Sequence, residues 1–451
     1  MSKFHDVLKN IIIGNRSDFD LYNRVFVVSA YAGVTNYLLE HKKTGKPGVY
    51  ELFVKNQNFN RGLQDVLNHL LEINKTFADI KLDLAKAENY ITNRIVQAKN
   101  YLNSLADVLA TGYVNKTNIL LAAREILASI GEAHSAWCTV NILENNGINA
   151  TLVDLCGFND SEYLTIDERI HRSFLSIDYS KTIPIATGYT KGTEGIMREF
   201  DRGYSEVTFS KIAVELRADE AVIHKEYHLS SADPAIVGLK KSIPVGQTNY
   251  NVADQLADIG MEAIHPKASK PLEMANISIR IKNTFEPEHP GTLISKNYIG
   301  EKSKVEIISG TDCVVAIEVH DPSMVGEVGF DLQIMEIFRR YKVSYILKST
   351  NANSITQVIW QKDVQDELIK DLKEKFQEIT IKEVALICVL GTNIAQPGIL
   401  AKASGALAKN KVNIESFSQS LKQVNMQFVI PRDMYKKGII ALNNALCISE
   451  N

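Results

Sequence analysis

The chain has 451 residues, enough for two to four domains with sizeable cores. Its 50 Lys and Arg nearly balance 53 Asp and Glu, leaving a net charge of −3, so it has no bias towards polyanions and nucleic acid is not expected as a partner. No apolar run approaches the roughly 20 residues that span a bilayer, the opening MSKFHDVLKN has no signal-peptide core, and the five scattered cysteines (Cys138, Cys156, Cys313, Cys388, Cys447) read as buried thiols of a reducing cytoplasm.

From the N-terminus, Phe4, Val7, Leu8, Ile11 and Ile12 recur at helical spacing and predict a short amphipathic helix over 4–13. Residues 24–28 (RVFVV) read as a strand buried on both faces. It ends in Ser29-Ala30-Tyr31-Ala32-Gly33-Val34-Thr35-Asn36, small residues that let a ligand approach the backbone, with the Ser29 and Thr35 hydroxyls at hand. Taken alone, the stretch fits a tight packing turn equally well. Residues 51 to about 110 are helical in pattern, with Leu63, Val66, Leu67, Leu70 and Leu71 on the apolar face. A second helical stretch, 118–143, holds Gly131-Glu132, a pair that helix propensity does not favour. Gly131 there suits close packing and Glu132 a pocket, against the alternative of a solvated glutamate. Residues 150–155 and 183–186 are strands. After the second, Gly188 opens a polar loop that reaches Asp201-Arg202-Gly203-Tyr204-Ser205-Glu206 and a helix over 207–216. The free N–H groups and dipole at that helix start, with the fork of Arg202, suit a carboxylate or phosphate. A surface loop with an incidental arginine is the equal alternative. Alternation of strand and helix as far as Ile223 argues for an α/β fold, a largely parallel sheet covered on both faces.

Residues 221–223 are a further strand, and 224–234 (HKEYHLSSADP) a loop whose two histidines, four apart, find no third ligand, so no metal site is expected. Lys240-Lys241 is either a solvated pair or, at the mouth of a sheet, a phosphate contact. Residues 249–260 are helical and 277–281 a strand. The Lys-, Glu- and Ser-rich stretch after Ser295 reads as a linker. Beyond it comes strand (313–319), helix (325–341), strand (343–347), strand (354–360), helix (364–376), strand (379–383). A second series follows: strand (384–390), helix (398–409), strand (412–417), strand (425–430), helix (433–446). This is a repeated βαββαβ pattern, the ferredoxin-like split unit, whose sheet edge can pair with a partner.

Such a tail behind an anion-binding α/β domain resembles aspartate kinase of the amino-acid kinase superfamily, with two ACT regulatory domains. Residues 27–36 are similar to that family's V-V-S-A-x-A-G-x-T-N, Gly131-Glu132 to its S-x-G-E, and Arg202-Gly203-Tyr204-Ser205-Glu206 to its R-G-G-S-D. Ser231-Ala232-Asp233-Pro234 resembles T-T-D-P, and 260–266 (GMEAIHP) resembles G-A-K-V-L-H-P. Each piece is weak alone; the five stand in family order over nearly the whole chain. The branch it looks most like is the one associated with ectoine biosynthesis.

The resemblance implies an amino-acid kinase domain over 1–296, a linker over 297–303, and ACT domains over 304–383 and 384–451, with 304–309 pairing with the second. It implies transfer of a phosphoryl group from ATP, with Mg²⁺, to L-aspartate, giving 4-phospho-L-aspartate in the cytoplasm, the first step towards lysine, threonine and methionine. By the same resemblance Arg202, Glu206 and Lys241 are the catalytic residues. Arg202 would grip a substrate carboxylate and Glu132 the α-ammonium, while Thr35 and Ser205 fix orientation. Ser29, Ala30, Gly33, Lys225, Ser230, Asp233, Lys240 and Lys241 fall on the nucleotide side, with Lys240 in place of Lys241 if the local alignment shifts. Met324, Gly326, Asn351, Asn353 and Ser354 match the ACT effector-binding elements, a purely structural interface being the alternative, and side-by-side ACT pairing implies a homodimer.

The chain also departs from the family. Members open with a strand ending K-x-G-G-T-S, whereas Met1-Ser2-Lys3-Phe4 begins at the helix after it. The resemblance therefore implies a kinase domain without its first strand and a weak or inactive enzyme, since losing a preorganised cation costs on the order of 10² to 10³ in rate. Tyr204 and Glu206 stand where the family has glycine and aspartate, and His224-Lys225, Ser230 and Ala235 replace its T-D, an aromatic and an arginine. Two other readings follow: a catalytically silent, amino-acid-sensing subunit paired with an active kinase, and a glutamate-type kinase, against which the ACT tail argues. Retention of Arg202, Glu132 and Thr35 favours the kinase, because a pure sensor needs none of them.

Overall fold

The computed structural model describes residues 3–14, 16, 18–41, 46–200, 203–261 and 264–448. They fall into two compact units: the chain up to Asp219 with Lys267–Ile277, and Glu220–Pro266 with the chain from Ser278 onward. The kinase-like stretch contributes to both. No helix among the described residues is long and apolar enough to cross a membrane.

In the first unit, strands β1 (Phe26–Val28), β2 (Ala150–Val153) and β3 (Ile183–Thr187) form a parallel sheet in the order β1-β3-β2. Every residue of central β3 is buried, whereas β1 lies at the edge and buries only Val28 of its three, so burial on both faces belongs to β3 and not to β1. The Lys116–Asn145 helix runs through the core. From Leu127 to Leu143 every residue except Trp137 is buried, as in a helix enclosed on all sides. Around it, the single helical stretch expected over 51–110 is broken into Val49–Val54, Phe59–Lys75 and Leu84–Thr111, the last begun by the Asp83 carboxylate accepting from the Lys86 N–H. Phe4–Val7 is α-helical and continues as a π-helical turn, Leu8–Ile13. Sequence reading missed the Pro266–Met274 helix; Pro266 stands at its first position, where the N–H lacks a partner anyway, and Pro271 lies inside it.

In the second unit, β4 (Glu220–Lys225), β5 (Gln247–Asn249), β6 (Ser278–Asn283) and β7 (Thr292–Ser295) form a mixed sheet in the order β4-β6-β7-β5, antiparallel only between β6 and β7. Across the two sheets of the kinase-like stretch every pairing except β6 with β7 is parallel, the largely parallel character expected from the sequence. β4 carries His224 and Lys225, opposite Lys282 and Asn283, where a loop was expected.

The C-terminal repeat forms one antiparallel sheet from β8 (Ile307–His320), β9 (Leu347–Thr350), β10 (Ser354–Trp360), β11 (Glu378–Leu390), β12 (Ser416–Gln419) and β13 (Asn425–Pro431), in the order β12-β13-β11-β8-β10-β9. β11 is a single strand where two were expected. Its first half pairs with Val314–His320 and its second with Ile307–Thr311, a bulge between Val384 and Leu386 separating them. The helix expected from Val325 starts at Phe330, because Gly326 and Gly329 take φ of +82° and +96°, the left-handed region, and Gly329 caps it. The short strands expected at 343–347 and 412–417 lie at β9 and β12 instead, shifted by the turns at Lys342 and Lys411, both at positive φ. Four cysteines are buried as expected, but Cys313 is exposed.

One polar residue stands out in β10. Gln357 is fully buried, and among the described residues neither its Oε1 nor its Nε2 has a hydrogen-bond partner. An unsatisfied buried amide costs about 1–3 kcal/mol, so Gln357→Met, close in volume, is expected to raise unfolding stability by about 1–2 kcal/mol, read as a higher denaturant midpoint.

Candidate active site

The first unit builds a small polar site where the turn after β1 meets the core helix. The Gly188 N–H donates to the Val28 carbonyl (3.0 Å) and the Ser135 hydroxyl to the Ser29 carbonyl (2.9 Å), fastening strand ends and turn to the helix. A Cβ on Gly131 would stand 2.8 Å from the Ala30 Cβ and 3.0 Å from Val34 Cγ1, so glycine is what lets the helix lie against this turn. Gly33, at φ +85°, caps the Val34–Leu38 helix that carries Thr35.

The next residue along the core helix is the focus. Glu132 is 1% exposed, Oε1 accepts a hydrogen bond from the Ser205 hydroxyl, and Oε2 has no partner among the described residues. Burial pushes its carboxyl up to about 8, partly offset by the Ser205 hydroxyl and, less, by the Tyr189 backbone N–H. Ser205 lies in the first turn of the Tyr204–Glu215 helix, whose cap Gly203 has φ +83°; Glu206 follows, half-buried. Gly188 closes the group: a Cβ there would be 2.8 Å from the Ser205 Cβ and 3.0 Å from Glu132 Oε2. The structure therefore brings Glu132 and Ser205 together beside the turn of Ser29, Ala30 and Gly33. Arg202 lies outside the described residues.

Sequence reading missed Ser135, Tyr189 and Glu125, and noted Gly188 only as a loop start. The Tyr189 hydroxyl donates to Glu125 Oε2 (2.6 Å), and the Met197 N–H donates to Oε1 (2.8 Å). Glu125 lies seven residues before Glu132, so the two carboxylates share one face of the core helix about two turns apart. They hold the Gly188–Ser205 segment at two points. The i, i+7 spacing of Glu125 and Glu132 was the available signal.

Of the residues expected on the nucleotide side, Ser29, Ala30 and Gly33 lie in the first unit, and Lys225, Ser230, Asp233, Lys240 and Lys241 in the second. The Lys225 carbonyl, at the end of β4, accepts from the Thr284 N–H (2.9 Å) and hydroxyl (3.1 Å). Ser230, Asp233, Lys240 and Lys241 share one loop, closed by Ser231 N–H to Ile243 carbonyl (2.7 Å) and Val245 N–H to Leu229 carbonyl (2.8 Å). The Ser230 hydroxyl donates to the His228 carbonyl (3.2 Å), and Asp233 accepts from the Ala235 N–H (2.8 Å) as a helix cap. Lys240 and Lys241 form a 3-10 turn, both exposed.

In the ACT region two loops meet. The Asp321 N–H donates to the Asn353 carbonyl (2.9 Å), and the Met324 N–H to the Asp321 carbonyl (3.0 Å). Asn353 Nδ2 contacts His320 Nε2 (3.2 Å), and the Asn351 carboxamide oxygen accepts from the Ala352 N–H (2.9 Å). Met324, Gly326, Asn351, Asn353 and Ser354 are thus gathered at one end of β8 and β10, where Ser354 stands opposite His320.

Comparison with known proteins gives this geometry its family. Residues 7–283 match the Amino acid kinase family and residues 387–446 an ACT domain. Aspartate kinase Ask_Ect of Stutzerimonas stutzeri is 44% identical, the alignment covering 100% of this chain and 96% of that one. Aspartokinase 1, chloroplastic, of Arabidopsis thaliana is 26% identical over 73% of this chain and 61% of its own length. Among solved structures, Clostridium acetobutylicum aspartate kinase superposes with a TM-score of 0.73 at 21% identity, covering 98% of this chain and 96% of that one. E. coli aspartokinase III in complex with aspartate and ADP superposes with a TM-score of 0.65 at 18% identity, covering 94% and 93%. At those identities the two structures speak for the fold, and the sequence match over the full chain speaks for the family: this chain belongs to the aspartate kinases of the amino acid kinase family.

Proposed function

We propose that this aspartate kinase uses ATP to phosphorylate the side-chain carboxylate of L-aspartate, and that Glu132 receives the α-ammonium of the acceptor. The observation that carries the reading is a buried glutamate with one oxygen bonded to Ser205 and the other without a side-chain partner among the described residues, its carboxyl raised to about 8 by burial. A carboxylate in that position is costly until a cation pairs with it. An ammonium within reach of Oε2 satisfies it and selects an amino acid over a plain dicarboxylate. The Ser205 hydroxyl and Thr35 orient the acceptor, and Arg202 takes a carboxylate through its fork. Glu206 and Lys241 complete the catalytic set on the strength of the sequence motifs.

Phosphoryl transfer asks mainly for positioning and for neutralising charge on the transferring oxygens. In the second unit Lys225, Lys240 and Lys241 supply cations for the phosphates, while Ser230 and Asp233 shape the loop; a nucleotide role for the turn at Ser29, Ala30 and Gly33 rests on its sequence motif. Mg²⁺ fits this arrangement as an ion brought by the triphosphate, because it keeps several waters and binds substrate phosphates without a protein cage; the described residues contain no cluster of three or more acidic, His or Cys ligands. Met324, Gly326, Asn351, Asn353 and Ser354 form the site for a small amino-acid effector. The edge strands of the ACT sheet suit pairing of two copies into a homodimer in the cytoplasm.

The test is aspartate-dependent release of ADP from ATP and Mg²⁺ by the purified chain. Release with L-aspartate, and none with succinate, which lacks the ammonium, is expected. No release with any acceptor would leave the silent, amino-acid-sensing subunit as the better account.

A further inference from the structure

Asn443 lies on the Tyr435–Leu446 helix of the ACT region and is fully buried. Its side chain reaches back some two hundred residues to the loop that carries Lys240 and Lys241. Nδ2 donates to the Lys241 carbonyl (2.9 Å), and Oδ1 accepts from the Ser231 hydroxyl (3.1 Å). The amide has one workable orientation, since a carbonyl can only accept and must face the NH₂.

Other bonds make Ser231 the centre of a junction. Its hydroxyl also accepts from the Ile243 N–H (3.1 Å), and its carbonyl accepts from the Ile308 N–H of β8 (2.7 Å). The Ser242 hydroxyl donates to the Ala232 carbonyl (2.8 Å). Beneath these bonds, Ala232 and Val237 share one apolar cluster with Ile439 and Leu442 of the same ACT helix. The loop is therefore fastened by its inner side to the ACT helix and presents its two lysines on the outer side. All these residues belong to the second unit.

We infer that Asn443 is a positioning residue for nucleotide binding: it fixes the backbone of the Lys240-Lys241 turn from within the ACT fold, so the packing of the ACT helix sets where these cations stand. The inference rests on the reading that the two lysines serve the nucleotide phosphates. A turn held at Lys241 by a buried amide keeps its ammonium groups within a narrow range, whereas a turn closed only by its own backbone bonds samples a wider one. Cations on a loose turn neutralise phosphate charge less well because ordering them costs entropy on binding.

The test uses the full chain and two variants. Asn443→Leu keeps the volume and removes both bonds; Ser231→Ala removes one and serves if the first variant does not fold. Isothermal titration gives the affinities for Mg·ADP and for aspartate, and hydrogen–deuterium exchange reads the amides of 231–243. The expected result is about tenfold weaker Mg·ADP binding for Asn443→Leu and a smaller loss for Ser231→Ala. Aspartate affinity should stay within about twofold, and exchange at Lys241 and Ile243 should speed up. Unchanged Mg·ADP affinity in both variants would overturn the inference while leaving the kinase reading intact, as would parallel losses for both ligands, which mark a general structural role. A wild-type chain that binds neither ligand would instead overturn the kinase reading and the inference with it.

Discussion

Glu132→Gln is expected to lower kcat/KM for aspartate by about 10² to 10³. Removing one partner of a buried ion pair costs about 3–5 kcal/mol, and here the substrate ammonium would be left facing a neutral amide. The wild-type pH profile should share the same origin. With its carboxyl raised to about 8, Glu132 is protonated in the free enzyme at neutral pH and must lose that proton to pair with the ammonium. kcat/KM reports free-enzyme ionisation, so it should climb with pH and level off above about 8, and the climb should vanish in the glutamine variant.

Stability should move the opposite way. The unfolded carboxyl titrates near 4.5 and the folded one near 8, so between those values the folded chain holds a proton that the unfolded chain has released. The contribution of this group is whole below pH 4.5 and is lost as pH rises through about 8. Glutamine has no such loss, so Glu132→Gln should be the more stable protein at pH 9, by on the order of a few kcal/mol, while the two converge at pH 4. Denaturant melts at both pH values check this. A variant that is more stable and nearly inactive separates the substrate role from a packing role.

Gly188→Ala is the second large effect. Its Cβ would stand 2.8 Å from the Ser205 Cβ and 3.0 Å from Glu132 Oε2, so the Ser205–Glu132 pair has to give way. A displacement of about 1 Å at such a site costs about 10²-fold in rate, and kcat/KM for aspartate is expected to fall by about that factor while Mg·ADP affinity holds. Steady-state kinetics with each substrate varied in turn reads the split. Equal loss on both substrates would mean that the substitution disturbs the fold and not the acceptor site.

The parts of this arrangement legible in the sequence were those set by short local chemistry. Gly131-Glu132 in a helix otherwise rich in good helix formers suggested a close approach, and the structure sets Gly131 against Ala30 and Val34 and buries Glu132. The small residues after β1 announced a turn, and the repeated βαββαβ order announced the ACT sheet. What stayed hidden depends on long-range pairing. Nothing local shows that β4 continues through His224 and Lys225, because that is decided by β6 some fifty residues later. Nor does anything local show that β11 is one bulged strand, since its two halves read as the end of one repeat and the start of the next. The Glu125–Tyr189 bond and the Asn443 junction join residues 64 and 202 positions apart, beyond any periodicity.

The most direct test of Glu132 as the receiver of the acceptor ammonium is the proton balance of aspartate binding, measured by titration calorimetry in buffers of different ionisation enthalpy. At pH 7 the raised carboxyl should release about one proton per aspartate bound, falling towards zero above about pH 9 and absent in Glu132→Gln at any pH. Aspartate binding at pH 7 with no proton released by the wild-type chain would contradict the account.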